Sequence, residues 1–234
     1  MNSISKSKIS VIMPVKDAQD SISDSINSIL MQSYENIELL VLDDASTDNT
    51  AEIISHFVEK DNRVKMYTNN KNLGLTVSLN ILIKNSSGEF IARQDSDDIS
   101  LLDRLEKQME YIVLKNLDGC TTKAISIQDL KILHNKSWIV PKKLLLKYKN
   151  PFIHGSLLIR KKVMEEINFY NEDFYYAQDY KLFTDLINEK FKIKILNKVL
   201  YKLNTENNIS TLNKEKQQYF ADCVQKNIMP NQIR

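Results

Sequence analysis

Short apolar runs alternate with amphipathic stretches through the first half of this chain, and that rhythm excludes most folds. Residues 8–15, KISVIMPV, are β-branched, apolar and closed by a proline, as in a buried strand. Residues 20–33 come next, with Ile22, Ile26, Ile29 and Leu30 at helical spacing. A second apolar run, 36–44, ends in Asp43 and Asp44, and Ser46 or Thr47 is positioned to cap the next helix, with Ile53, Ile54, Phe57 and Val58 on one side. Residues 63–67 form a third strand pattern, and Leu75 to Lys84 a third helix. Residues 89–93 form a fourth strand, and Ser100 with Asp103 approximates a capping box before Leu105, Met109 and Ile112. The order β-α-β-α-β-α-β-α predicts an α/β fold with a mostly parallel, Rossmann-like sheet flanked by helices.

Ligands of such sheets bind outside the carboxyl ends of the strands. Here the strand ends carry Pro14-Val15-Lys16-Asp17, then Asp43-Asp44, then Asp95-Ser96-Asp97-Asp98. The second half is less regular. A strand is expected near 118–127, a strand and helix over 154–167, a helix over 175–190 and two late strands, 191–196 and 199–203. The polar tail after Thr205 is expected to pack loosely. No internal repeat or low-complexity tract interrupts the 234 residues, a length that suits one large domain.

Composition narrows the class. Hydrophobic residues are 42% and charged residues 26%, enough for an ordinary core. No apolar run nears the length of a membrane span, and the first ten residues lack a signal peptide's apolar region. Cys120 and Cys223 are too few for a disulfide framework or zinc site and read as reduced thiols of a cytoplasmic protein. The net charge of +2 hides an asymmetry, because nine Lys or Arg and no Asp or Glu lie between Leu130 and Met164. The basic stretch 131–149 is either a solvated face or a peripheral contact with an anionic membrane surface. It carries Trp138 and Tyr148 but no nucleic-acid-binding module, so no nucleic-acid partner is expected.

Asp95, Asp97 and Asp98 repel one another unless they form a solvated loop or share a cation. Asp-x-Asp offers two hard oxygen ligands, which suits Mg²⁺ or Mn²⁺ together with phosphate oxygens. There is no G-x-G-x-x-G and no Walker A lysine, so ordinary dinucleotide dehydrogenases and P-loop enzymes are excluded.

The segments SVIMPVKD, IELLVLDDASTDNT, NNKNLGLTVSLN, GEFIARQDSDDISLLDRLEKQ, NPFIHGSLLIRK and YYAQDYKLF succeed one another in an order and spacing that resembles family-2 glycosyltransferases, over roughly residues 8 to 205. The resemblance is greatest to bacterial members that build lipopolysaccharide, capsule or other surface glycans. It implies a GT-A fold and inverting transfer from a nucleotide-sugar donor, with a UDP-sugar expected. The acceptor implied is a saccharide or lipid-linked saccharide. Residues 1–98 would be the nucleotide-sugar-binding half and 99–234 a smaller acceptor-binding half of the same domain.

By the same resemblance, Pro14, Val15, Lys16 and Asp17 would line the base and ribose, and Asp44 would bind the base, unless it serves as a turn carboxylate. Asp43 would be structural. Gly74 would pass near the nucleotide, or simply supply a tight turn. Asp95 and Ser96 would touch the nucleotide, Asp95 sharing the metal with Asp97, its principal ligand. Asp98, His154 and Gln178 would lie near the sugars, His154 being equally readable as structural. Asp179 would be the general base, or else a helix N-terminal carboxylate. Trp138 and Tyr148 are candidates for sugar stacking or for packing. Three positions depart from the family pattern. Lys16 replaces an aromatic, Gln178 a glutamate, and Asn204 stands where many members have a histidine. These departures leave open a nucleotide-sugar-binding protein without turnover. A nucleotidyltransferase should carry a glycine-rich loop near its first strand, and PVKDAQD has none.

Overall fold

A computed structural model describes residues 7–133, 139–206 and 213–231. Trp138 lies outside the described residues. The four predicted strands of the first half form as β1 (Ile9–Val15), β2 (Ile37–Asp43), β3 (Val64–Thr68) and β4 (Phe90–Arg93), all mutually parallel where they pair. Every residue of β1 and β2 is buried, because helices cover both faces of the sheet. Successive side chains serve opposite layers. Val11 and Met13 of β1 join Ile22, Ile26 and Ile29 of α1 (Ile22–Leu30), Ile54 of α2 (Thr50–Lys60), and Leu105, Met109 and Ile112 of α4 (Arg104–Lys115). Ile12 instead joins Leu79, Leu82 and Ile83 of α3 (Leu75–Asn85).

The second half continues the same sheet. β5 (Ile99–Ser100), β6 (Gly119–Ser126), β7 (Ile132–Leu133), β8 (Leu158–Arg160) and β9 (Ile193–Leu203) extend it in the order β3-β2-β1-β4-β8-β6-β9-β5, with β7 beside β6. β8 runs antiparallel between β4 and β6, whereas β6 and β9 are parallel. Short helices α5 (Lys142–Leu145) and α6 (Lys161–Glu166) precede α7 (Gln178–Asn188) and α8 (Lys214–Lys226).

Several local readings need correction. The two late strands are one, β9, whose register against β6 slips at Thr122/Lys123 and Lys123/Ala124. Such bulges bend a strand and re-aim the residues beyond the bend, and β9 delivers Tyr201, Leu203 and Asn204 to the ends of the other strands. Ser100 caps no helix. It lies in β5, and its hydroxyl donates to Gln94 Oε1 at 2.7 Å. Asn49, not Ser46 or Thr47, precedes α2. The tail does not pack loosely where it is described, because α8 buries Phe220, Cys223 and Val224 in the layer containing Tyr176 and Phe183. Both cysteines are free and buried. Among the described residues no helix is long and apolar enough to cross a membrane.

Candidate active site

The candidate residues from Pro14 through Asp44 and Asp97 to Asp179 line one cavity of about 610 Å³ at the carboxyl ends of β1, β2 and β4, whereas Asp43 and Tyr148 stay outside its wall. The strands aim the backbone there, and three non-glycine residues at its rim have left-handed backbones: Asp17 (φ 48°), Ala45 (φ 59°) and Ala177 (φ 52°). Such conformations persist only where surrounding contacts enforce them. Asp17 Oδ1 accepts the Thr47 N–H at 2.7 Å, Lys16 Nζ donates to the Ala45 carbonyl at 2.9 Å, and the Ala177 N–H donates to Gln217 Oε1 at 3.3 Å.

Asp43 turns back into its own loop, accepting the Ser46 N–H and hydroxyl. Asp44 Oδ1 accepts Asn69 Nδ2 and the Leu73 N–H, and Oδ2 the Gly74 N–H, all at 2.8 Å. It is therefore a turn-building carboxylate whatever else it does. A carboxylate offers about four acceptor positions, so one remains toward the cavity. Gly74 (φ 87°) is required by its backbone, which is left-handed. An added Cβ would lie 2.5 Å from Cε2 of Tyr175.

The acidic loop after β4 rests on two buried arginines. Arg93 pairs with Asp95. Arg104 donates to the carbonyls of Arg93 (3.1 Å) and Gly155 (3.2 Å) while its guanidinium lies over the Tyr201 ring, 5.3 Å from the centroid. Gly155 must lack a side chain, since a Cβ there would lie 2.6 Å from Asp95 Oδ2. Asp98 Oδ1 accepts the Asn204 N–H at 2.7 Å, and Asn204 Nδ2 donates to Asp97 Oδ2 at 3.2 Å. Burial, and then the charge of Asp95, push Asp97 above the usual carboxylate range and Asp98 up to about 8. The loop therefore disfavours three ionised carboxylates at once.

Across the cavity, Asp179 sits in the first turn of α7, with Oδ2 accepting Asn150 Nδ2 at 2.7 Å. Burial is the main cause that raises its pKa, against the opposing Tyr180 N–H and Asn150. His154 Nε2 shares a hydrogen bond with the Tyr170 hydroxyl at 2.7 Å, and burial with the nearby Arg93 holds its pKa well below the usual value. It is a neutral, packed imidazole at the cavity edge. Sequence reasoning missed Arg93, Tyr175, Tyr176, Asn213 and Gln217, all of which line the cavity. The arginine at the end of a buried strand was a readable signal. The others are brought in by α8 and the turn before α7.

The family model described as Glycosyl transferase family 2 matches residues 10–168. The chain belongs to glycosyl transferase family 2. An Escherichia coli relative, UDP-Glc:alpha-D-GlcNAc-diphosphoundecaprenol beta-1,3-glucosyltransferase WfgD, is 32% identical over 187 residues, covering 77% of this chain and 70% of the relative. S. aureus TarS 1–349 in complex with UDP-GlcNAc superposes with a TM-score of 0.72 at 20% identity, covering 88% of this chain and 61% of that one. The mannosyltransferase PcManGT from Pyrobaculum calidifontis, in complex with GDP-Man and Mn²⁺, gives 0.75 at 16% identity, covering 96% and 66%. The present chain thus spans under two thirds of the length of those structures. The likeness establishes the GT-A fold.

A divalent cation fits the chemistry of the acidic loop. Its carboxylates are hard oxygen donors, and Asp97 and Asp98 are raised by burial and by the charge of Asp95, both of which a bound cation would offset. Among the described residues no three His, Cys, Asp or Glu side chains form a ready ligand set. Arg93 pairs with Asp95, while Asn204 donates to Asp98 through its N–H and, over a longer distance, to Asp97 through its side chain.

Proposed function

We propose that this protein is an inverting glycosyltransferase that moves a sugar from a nucleotide donor, a UDP-sugar, to a saccharide or lipid-linked saccharide acceptor in surface-glycan synthesis. The observation that carries this reading is the convergence of Asp44, Asp97 and Asp179 on one cavity of about 610 Å³. Residues up to 98 hold the donor, joined by Tyr175 at the base end, and those beyond hold the acceptor. Pro14 to Asp17, Gly74 and Asp44 border the base and ribose, with the free acceptor position of Asp44 directed to a base N–H. Asp95, Ser96 and Asp97 face the diphosphate. Mn²⁺ or Mg²⁺ held by Asp97, with Asp95 beside it, would supply charge neutralisation for the departing nucleoside diphosphate. Such ions keep water and phosphate oxygens as partners, so few protein ligands suffice.

Asp179 takes the proton from the acceptor hydroxyl as that oxygen attacks the anomeric carbon, and the bond to the diphosphate breaks on the opposite face. One displacement inverts the centre. A carboxylate with a raised pKa is the better proton acceptor, and positioned proton transfer is typically worth roughly 10²–10⁴-fold in rate. Asn150 fixes the orientation of that carboxylate, and Gln178 and Asp98 border the sugars. His154 braces the wall behind them. Tyr175, held against Gly74, supplies an aromatic surface at the base end of the cavity, where Lys16 supplies none. The named activity of WfgD on a diphosphoundecaprenol acceptor supports a lipid-linked substrate. The corresponding location is cytoplasmic, at the inner face of the cell membrane.

The test is an assay of UDP-sugars against lipid-linked acceptors, wild type beside Asp179→Asn. Transfer by the wild type with a loss of roughly 10²-fold or more in the variant supports the reading. Equal rates would remove Asp179 from the chemistry. A second reading, nucleotide-sugar binding without turnover, is favoured by Gln178 and Asn204 and predicts nucleotide binding with no transfer to any acceptor.

A further inference from the structure

The segment leading into Asn150 combines exposed apolar groups with lysines and no carboxylate. Its described part, residues 139–149, presents Ile139 (65% exposed), Leu144 (49%) and Tyr148 (73%) to solvent, with Lys143, Lys147 and Lys149 exposed among them. No acidic residue occurs anywhere from Leu130 to Met164. The backbone beneath is anchored. Leu146 is buried, the Tyr180 hydroxyl donates to its carbonyl at 2.6 Å, and Gln225 Nε2 donates to the Tyr148 carbonyl at 3.0 Å. Apolar side chains are thus held outward on a supported turn. The segment runs directly into Asn150, which donates to Asp179.

We infer that residues 139–149 are a docking surface for an anionic lipid bilayer, with Ile139, Leu144 and Tyr148 entering the interface and Lys143, Lys147 and Lys149 over the headgroups. Charge complementarity selects this occupant. A face that pairs exposed aliphatic and aromatic groups with lysines, and carries no carboxylate of its own, matches an interface that is apolar inside and negative outside. An apolar protein partner would leave the lysines uncompensated, and a soluble polyanion would leave the apolar groups in water. Docking here places the entrance beside Asp179 at the headgroup level, where the reactive end of a lipid-linked acceptor lies. That last step rests on the glycosyl-transfer reading; the docking itself does not.

The experiment is co-sedimentation of the full chain with phosphatidylcholine vesicles containing increasing phosphatidylglycerol. Each lysine near an anionic surface strengthens binding about fivefold, so Lys143→Gln/Lys147→Gln/Lys149→Gln should weaken it about 100-fold. Leu144→Asn/Tyr148→Ala should weaken it at every lipid composition. Both variants should titrate UDP as the wild type does, which confirms their folding and separates this test from that of the donor site. Transfer to a vesicle-embedded acceptor should fall in both, while transfer to a short soluble acceptor should not. The inference is overturned if binding ignores phosphatidylglycerol content, if either variant binds vesicles like wild type, or if heparin competes for the wild type while the apolar variant binds unchanged.

Discussion

Asp44 and Asp97 lie just past the carboxyl ends of two strands in one sheet and line the same cavity, but their surroundings differ in kind. Asp44 accepts three hydrogen bonds from its own chain and ties the Leu73–Gly74 turn to β2. Asp97 receives one long bond from Asn204 and shares its loop with two more carboxylates. The first region is satisfied by the protein but for one acceptor position. The second crowds three carboxylates beside one paired arginine, an arrangement that a bound cation would relieve. A strand-end acid that folds the protein and one that waits for a ligand therefore look identical in sequence, and partner geometry separates them.

The largest expected effect lies on the waiting side. Asp97→Asn should abolish metal-dependent nucleotide binding and bring transfer down by about 100-fold or more, read by activity across a Mn²⁺ titration. Its thermal stability should hold or rise, because repulsion with Asp95 and Asp98 is relieved. A clear loss of stability would mean that Asp97 is structural like Asp44. The acid limb of the pH–rate profile comes next. Because Asp179 is raised by burial, activity should fall on acidification at a pH above the usual carboxylate range, and Asp179→Asn should remove that limb.

The satisfied side should respond in stability. Asp44→Ala leaves the Leu73 N–H without its acceptor and the Gly74 N–H with only Asn72 Oδ1, and should cost about 2 kcal/mol by denaturant unfolding. Glu38 gives the pH version. It lies buried in β2, bonded to Ser10 of β1. Burial opposes its ionisation, but Lys65, Ser10 and Ser87 outweigh that and hold its pKa below the usual range. A depressed carboxylate pKa contributes stability above the unfolded value of about 4.3 and loses it as pH falls toward the folded one. Stability should therefore decline below about pH 5, and Glu38→Gln should flatten that decline. The smallest effect is expected at Tyr175. Tyr175→Ala should weaken UDP binding about tenfold and Tyr175→Phe hardly at all, in line with the worth of an aromatic contact.

The first half of the fold was legible because its parallel strands read as short, largely apolar runs alternating with amphipathic helices, and their ends marked the cavity. Its acids were legible as a cluster. Which of them was already satisfied was not, since Asn69 and the Leu73–Gly74 turn reach Asp44 only through the fold. The second half was read less well for two physical reasons. β9 bulges against β6, and that break made one strand look like two. In α8, Phe220, Cys223 and Val224 keep helical spacing amid a polar sequence, a real but thin signal. Gln217, which meets Ala177 from α8, depended on that helix.

On the proposed function, a cation and a nucleotide complete the acidic loop. Calorimetric titration of the protein with UDP, in Mn²⁺ and then in EDTA, tests it most directly. Binding should be present in Mn²⁺, weaken strongly in EDTA and be lost in Asp97→Asn. Binding that ignores the metal, or no binding under either condition, would contradict it.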